Sequence, residues 1–344
     1  MRSQPLKKEL EQLRSKKGSL TQVSNAEWYS LFKDEIRNSI AIEGVFTNRT
    51  DLIDVLEHNK RTDKHKASAI LGYFESASAM YEYAANQYKE KEFSLRMSDV
   101  KQIHTLLMRY EKEMGFYVGE IGEFRNTTAQ VAHSTFTPIS EFYIRPSMEL
   151  LIQWVNHHLK NKKQDPVELG AMTHVWFEAI HPFRDGNGRA GRILLSYILI
   201  GCGLVNVAIK GISKNDREYY YHALEKADDG FERLHRQIEQ GQRFDWKSAD
   251  AFINQEDFNE IVSLVLDRLN DSVSRLKNVG VPPIDGEAQL PLSDLARIYN
   301  YSPDYLRNLI NRDLLKGHKK GKTWYVRVRD MAGYAERLRS ENAG

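Results

Sequence analysis

The chain has 344 residues, enough for two or three packed units, and an apolar share of 41% that allows a sizeable core. Lys and Arg number 49 against 47 Asp and Glu, so the chain as a whole is excluded as a polyanion binder and local charge becomes the informative quantity. One cysteine, Cys202, excludes an intrachain disulfide and a multi-cysteine zinc site, and the charged start and lack of any apolar run of about 18 residues make the cytoplasm the expected location, with no membrane partner.

Residues 1 to 25 read as a frayed arm or a short helix. Between 26 and 58, Trp28, Leu31, Ile36 and Ile40 recur at helical spacing, with Gly44 as a stop signal. Residues 64–90, rich in Ala and aromatics, predict a long helix, and 98–113 predict another. The Gly, Thr, Val and Phe content of 117–143 predicts a short hairpin. Helical spacing returns over 145–160. Asp165 and Pro166 then supply a cap and a first-turn proline for a helix to Ile180. Further helices are expected over 188–201 and 217–226, with a long amphipathic segment at 252–277. The breaker run GVPPIDGE at 280–287 marks a linker, and the remainder reads helix, turn, helix, hairpin, helix. The expected fold class is mainly α, a helical bundle with a short hairpin and a small winged-helix domain. Its divisions are an N-terminal helical region at 1–95, a core at 96–250, a connecting helix and linker at 251–287, and a terminal domain at 288–344.

The chemistry concentrates in HPFRDGNGRAGR, residues 181–192. Two predicted helices leave 183–187 as a tight connection, so consecutive backbone amides collect at the start of the second helix, where anions bind. Gly186 and Gly188 remove side chains that would block a phosphate. Arg189 and Arg192, three apart, share one helix face, and their guanidinium forks suit phosphate oxygens. Asp185 is the motif's one carboxylate, better matched beside polyphosphate to Mg²⁺ than to a base. His181 remains for proton transfer. The motif has no nucleophile of its own, which is consistent with a substrate that brings one.

At these residues the chain resembles the Fic family, whose signature His-x-Phe-x-Asp/Glu-Gly-Asn-Gly-Arg-x-x-Arg is met at every defined position. The resemblance implies an all-helical fold that transfers AMP from ATP to a Ser, Thr or Tyr hydroxyl of a target protein, releasing pyrophosphate. It assigns deprotonation of the hydroxyl to His181, Mg²⁺ to Asp185, the α-phosphate region to Asn187 and the loop amides, the β- and γ-phosphates to Arg189 and Arg192, and loop anchoring to Phe183. GEIGEFRNTTAQV, 119–131, resembles the family's flap, which registers an extended target segment by strand addition, with Gly122 and Arg125 on its Gly-x-x-Arg pattern. Tyr220, Tyr221 and Leu224 match the pattern of the helix that walls the nucleotide base.

SIAIEG, residues 39–44, places Ser39 and Glu43 on one face of a helix about 26–44 that Gly44 ends, and a glutamate at a helix C-terminus calls for a partner. The stretch resembles the family's inhibitory motif. That implies a Glu43–Arg192 pair in the γ-phosphate's place, Ser39 hydrogen-bonded nearby, and an enzyme mostly off in isolation that would modify itself when released. Some relatives use the same glutamate to remove AMP.

From Gln289 onward, eleven Lys or Arg face six Asp or Glu, a local +5. Leu295, Ile298, Leu306, Leu309 and Leu315 give an apolar face. The segment resembles a winged helix-turn-helix with its turn at 300–303. Arg307, Asn308 and Asn311 would reach base edges, and Lys316, Lys319, Lys320 and Lys322 would meet phosphates. Protein docking or homodimer formation is the alternative use of this domain. Three functions follow: an autoinhibited adenylyltransferase, a Fic-fold enzyme that removes AMP or uses another phosphate-containing donor, and a DNA-binding regulator with a nucleotide-sensing site.

Overall fold

A buried helix, α8 (Asn187–Gly201), forms the axis of the larger of two units; it is apolar nearly all round, as a fully enclosed helix must be. The computed structural model describes the chain apart from residues 1, 18, 23–24, 61–62, 130–135, 163, 278–288, 300, 332 and 335–344. Around α8 pack α2 (Ala26–Ile42), α4 (Lys64–Glu90), α5 (Met97–Glu113) and α7 (Pro166–Ile180). α3 (Arg49–Glu57), α6 (Ile144–Asn161), α9 (Lys214–Glu239), α10 (Trp246–Asp250) and α11 (Asn259–Lys277) complete this unit, Met1–Leu276. One continuous core runs through it, so the expected regions 1–95, 96–250 and the helix of 251–277 share their buried side chains.

Several helix ends follow the chemistry of their residues. The Asn25 side chain accepts from the Trp28 amide at 3.0 Å and opens α2. At its other end Gly44 takes φ 81°, and the Val45 amide reaches the Ile40 carbonyl at 3.0 Å, a left-handed C-cap. Asp165 caps α7 through the Val167 amide at 2.9 Å, with Pro166 in the first turn.

Three elements differ from expectation, and the N-terminal segment takes the second of its two expected forms. The N-terminal arm is a docked helix, α1 (Gln4–Lys17): Leu10 is fully buried, and Arg14 donates to the Gly203 and Leu204 carbonyls at 2.8 Å, in the turn that follows α8. α9 runs thirteen residues beyond the expected end at 226, through Gly230, because that glycine lies directly against the Phe252 carbonyl and a side chain there would collide. The amphipathic segment at 252–277 starts later, with a 3-10 turn at Gln255–Phe258 ahead of α11. The described residues of the expected hairpin, 117–129 and 136–143, form turns, extended chain and a 3-10 turn at Glu141–Tyr143, without strand pairing; 130–135 lie outside the described residues, as does the linker at 280–287.

The smaller unit, Lys277–Gly344, has a core of its own around Leu295, Leu306, Leu309, Leu315, Val326 and Met331. Strand β1 (Gln289–Pro291) precedes α12 (Leu292–Ile298) and α13 (Pro303–Asn311), followed by β2 (Gly317–Lys320) and β3 (Thr323–Arg327). The antiparallel sheet has the order β1-β3-β2, with Leu290 opposite Val326 and His318 opposite Tyr325. Ser302 caps α13 by accepting the Tyr305 amide at 3.0 Å. Asn300, in the expected turn, and the side chain of Ile298 lie outside the described residues.

Candidate active site

The motif occupies the handover from α7 to α8. His181 ends α7 in a left-handed conformation, φ 50°, with its amide on the Phe177 carbonyl at 3.0 Å. Phe183 is fully buried and stacks on His104 with ring centroids 3.8 Å apart, which anchors the turn as expected. Gly186 takes φ 77° and a Cβ there would come within 2.7 Å of the Met108 sulfur, so glycine is required on both counts. The Asn187 carboxamide accepts from the Phe183 amide and donates to the Phe183 carbonyl, both at 2.8 Å. It closes the turn from inside. The amides of Asn187, Gly188 and Arg189, at the start of α8, find no acceptor among the described residues, and form the anion cradle.

His181 is half-buried, and burial, with Arg125 next, depresses its imidazole to about 4, so the ring is neutral and able to accept a proton. Asp185 is exposed, and its Oδ1 accepts the Gly186 amide at 2.6 Å. Among the described residues no three His, Cys, Asp or Glu side chains gather to hold a metal. A lone exposed carboxylate beside an anion cradle fits Mg²⁺, whose remaining ligands would be phosphate and water.

The two arginines diverge. Arg189 turns toward α5 and pairs with Glu111, both buried, one of the two bonds being 3.3 Å from Nη2 to Oε2. It therefore does not line the cradle beside its neighbour. Arg192, 4% exposed, donates from Nε to the Ser39 hydroxyl at 2.8 Å, and from Nη2 to the Ser39 carbonyl at 3.0 Å and to Glu43 Oε1 at 2.6 Å. Burial draws its pKa down, and the Glu43 carboxylate more than reverses this, holding it above its ordinary value. A Cβ on Gly188 would collide with the Glu43 carboxylate, which thus lies against the first turn of α8.

The remaining expected residues are structural neighbours of the turn. Tyr220 is buried under Arg192 and shares a 2.7 Å hydrogen bond with His174 Nε2, while Tyr221 donates to the Ile42 carbonyl at 2.9 Å, at the end of α2. Arg125 is buried, with Nε on the His181 carbonyl at 2.8 Å and Nη1 on the Thr127 carbonyl at 2.7 Å, so it fastens the base of the 119–131 segment to the catalytic turn. Gly122 takes φ 76° and donates its amide to His104 Nδ1 at 2.8 Å.

Sequence reasoning missed His104, Glu111 and Glu178. The first two, with Met108, lie on one face of α5, recognisable in sequence only as polar residues at apolar spacing. Glu178, three residues before His181, is pushed up to about 8 by burial, and its Oε1 lies 3.8 Å from His174 Nδ1.

In the smaller unit Asn308, Asn311, Lys316, Lys319, Lys320 and Lys322 are exposed, and Arg307, also exposed, pairs with Asp304 at 2.8 Å.

Residues 94–199 match the model of the Fic/DOC family, and residues 292–339 match that of a helix-turn-helix domain. The chain is 28% identical over 317 residues to a probable protein adenylyltransferase of Aquifex aeolicus, covering 90% of each chain. It is 34% identical over 111 residues to protein adenylyltransferase fic-1 of Caenorhabditis elegans, 32% of this chain, and 30% identical over 200 residues to protein adenylyltransferase Fic of Drosophila grimshawi, 57% of this chain. The matches span only 21% and 38% of those animal proteins' lengths. In fold the chain is similar to a Fic domain containing signaling protein from Bacteroides thetaiotaomicron, with a TM-score of 0.60 at 19% identity over 82% of this chain and 100% of that one. A Fic family protein from Desulfovibrio desulfuricans gives 0.53 at 18% identity over 94% of each.

Proposed function

We propose, for a chain that carries a Fic/DOC domain at residues 94–199 and a helix-turn-helix domain at 292–339, that it is an autoinhibited protein adenylyltransferase. The observation that carries this reading is the carboxylate beside the cradle: Glu43 lies against Gly188 and on Arg192 at 2.6 Å. A site that holds a carboxylate on a buried arginine, next to helix amides that have no acceptor, suits a phosphate of ATP. While Glu43 remains there, the terminal phosphate cannot take that position and the chain is misaligned for attack.

With the brake withdrawn, a target hydroxyl attacks the α-phosphorus while its proton passes to the neutral His181 imidazole. The new O–P bond forms as the bond to the β-phosphate's bridging oxygen breaks, and pyrophosphate leaves. His181 then returns its proton to solvent. Asp185 would hold Mg²⁺, which when bound supplies charge neutralisation for the phosphates. The anionic nucleotide also counters the burial that disfavours imidazolium at His181. DNA is the partner suggested for the smaller unit, by the helix-turn-helix match and the exposed lysines of its hairpin.

The test is incubation of wild type, Glu43→Gly and Glu43→Gly/His181→Ala with Mg²⁺ and α-labelled ATP. Glu43→Gly should label itself about 10- to 100-fold more than wild type, and the double variant should return to background. Equal labelling of wild type and Glu43→Gly would remove the brake. No labelling by any of the three, with ATP bound, would remove the transferase.

A further inference from the structure

The carbonyls of the catalytic turn point away from the cradle into a second row of donors. The Arg125 guanidinium holds the His181 carbonyl at 2.8 Å, the Arg125 amide holds that of Pro182 at 2.9 Å, and Asn187 holds that of Phe183 at 2.8 Å. The last member of the row comes from α5: His104 Nε2 donates to the Asp185 carbonyl at 3.1 Å. His104 is fully buried and its ring lies parallel to Phe183, at 7° and 3.8 Å.

The proton on His104 is assigned by its neighbours. Nδ1 faces the Gly122 amide at 2.8 Å, and a backbone N–H can only donate, so Nδ1 is the acceptor and the neutral ring carries its proton on Nε2. Gly122 reaches this position through its left-handed φ of 76°, where a Cβ would strike the Thr105 hydroxyl. The bond on the other side acts through a rigid unit. The carbonyl of Asp185 and the amide of Gly186 belong to one planar peptide. That amide is the donor to the Asp185 carboxylate at 2.6 Å, and α8 begins immediately after it. Fixing the carbonyl therefore fixes the plane, the carboxylate it holds, and the direction from which the α8 amides start.

We propose that His104 is a positioning residue for adenylyl transfer, coupling the Gly122 turn to the catalytic turn and setting the direction of the Asp185 carboxylate through the 185–186 peptide. The inference rests on the transferase reading above. It predicts a loss in the chemical step that follows the hydrogen bonds of residue 104 and not its volume.

The experiment places His104→Phe and His104→Gln in the Glu43→Gly background. Phenylalanine keeps the ring on Phe183 and loses both hydrogen bonds, whereas glutamine retains an amide donor of suitable reach for the Asp185 carbonyl. His104→Phe should lower kcat about 10- to 100-fold while the KM for ATP changes less than about threefold, and His104→Gln should recover part of the loss. Activity of His104→Phe within about twofold of its parent overturns the proposal, as does a loss that tracks the melting temperatures of the two variants instead of the donor. Nitrogen-15 NMR of the imidazoles in Glu43→Gly, at neutral pH, gives a reading independent of activity: His104 should be the neutral Nε2–H tautomer. The opposite tautomer, or an imidazolium, overturns the proposal. If Glu43→Gly labels nothing, the transferase reading fails and the tautomer alone decides the geometry.

Discussion

Glu35, Ser39 and Glu43 follow one another at four-residue intervals on α2, and they meet Ser196, Arg192 and Gly188, spaced likewise on α8. Glu35 is 2% exposed and accepts from Tyr73 at 3.0 Å, from Asn206 at 2.6 Å and from Tyr81. Burial pushes its carboxyl up to about 7 despite those donors. The folded value lies above the unfolded one near 4.5, so the folded state takes up a proton between the two, and the stability it contributes is complete below about pH 4.5 and lost as the pH rises to about 7. The size of that contribution is at most about 3 kcal/mol. Glu35→Gln should remove this slope: chemical unfolding at a series of pH values should show wild type losing stability from pH 4.5 to 7 relative to the variant. Parallel pH profiles for the two proteins would show that Glu35 does not titrate there. The glutamine amide would face the Asn206 amide, so the variant is also expected to be less stable at every pH, which leaves the slope as the readout.

The brake helix is fastened at its end as well as along its face. Tyr221 of α9 donates to the Ile42 carbonyl at 2.9 Å, the Gly211 amide donates to the Asn38 side chain at 3.1 Å, and the Arg217 guanidinium lies 5.0 Å over the Phe46 ring. One hydrogen bond is worth about 1 kcal/mol, so Tyr221→Phe should raise basal self-labelling up to about fivefold in the wild-type background. In Glu43→Gly the same substitution should give no such increase, because the carboxylate whose withdrawal it eases is gone. A comparable rise in both backgrounds would place Tyr221 at the nucleotide and not at the brake. These contacts also explain what was legible in the sequence. Helix ends set by local chemistry, such as Gly44 and Asp165 with Pro166, could be read from neighbouring residues alone. So could the Ser39 and Glu43 face, because its spacing is fixed by the helix. Roles decided between distant segments could not. Gly230 lies past the expected end of its helix and only the Phe252 carbonyl beside it shows why a glycine stands there, while the contacts of Arg189 with Glu111 of α5 and of the Tyr221 hydroxyl with the end of α2 are announced by no local spacing. His104 is one polar residue in an amphipathic helix, and only the turns at Gly122 and Asp185 give it a function.

Two separate cores divide the chain's stability. The larger unit buries Trp28, Trp154 and Trp176 together with all of α8 but Gly188, whereas the smaller one depends on a short set of leucines and valines around Leu295 and Leu306, both fully buried. A small unit has little apolar area with which to offset its chain entropy, so its margin is the narrower. Charge is divided as well, with eleven of the chain's 49 basic residues against only six acidic ones from Gln289 onward. Self-repulsion among the exposed lysines of the β2–β3 hairpin works in the same direction at low salt. Calorimetry of the full chain should therefore show two transitions, the smaller unit's at the lower temperature and more sensitive to added salt. Leu306→Ala removes a side chain from the centre of that unit and should destabilise it by about 2–5 kcal/mol, lowering only the first transition. Trp176 stacks on Phe231 at 5.0 Å in the other core, and Trp176→Ala should lower only the second. If either substitution moves both transitions together by the same amount, the two cores unfold as one cooperative unit. Separate responses would mean that the catalytic turn and its brake are stabilised without help from the helix-turn-helix domain, so that Leu306→Ala, at a temperature between its own transition and the second, should leave the self-labelling of Glu43→Gly unchanged.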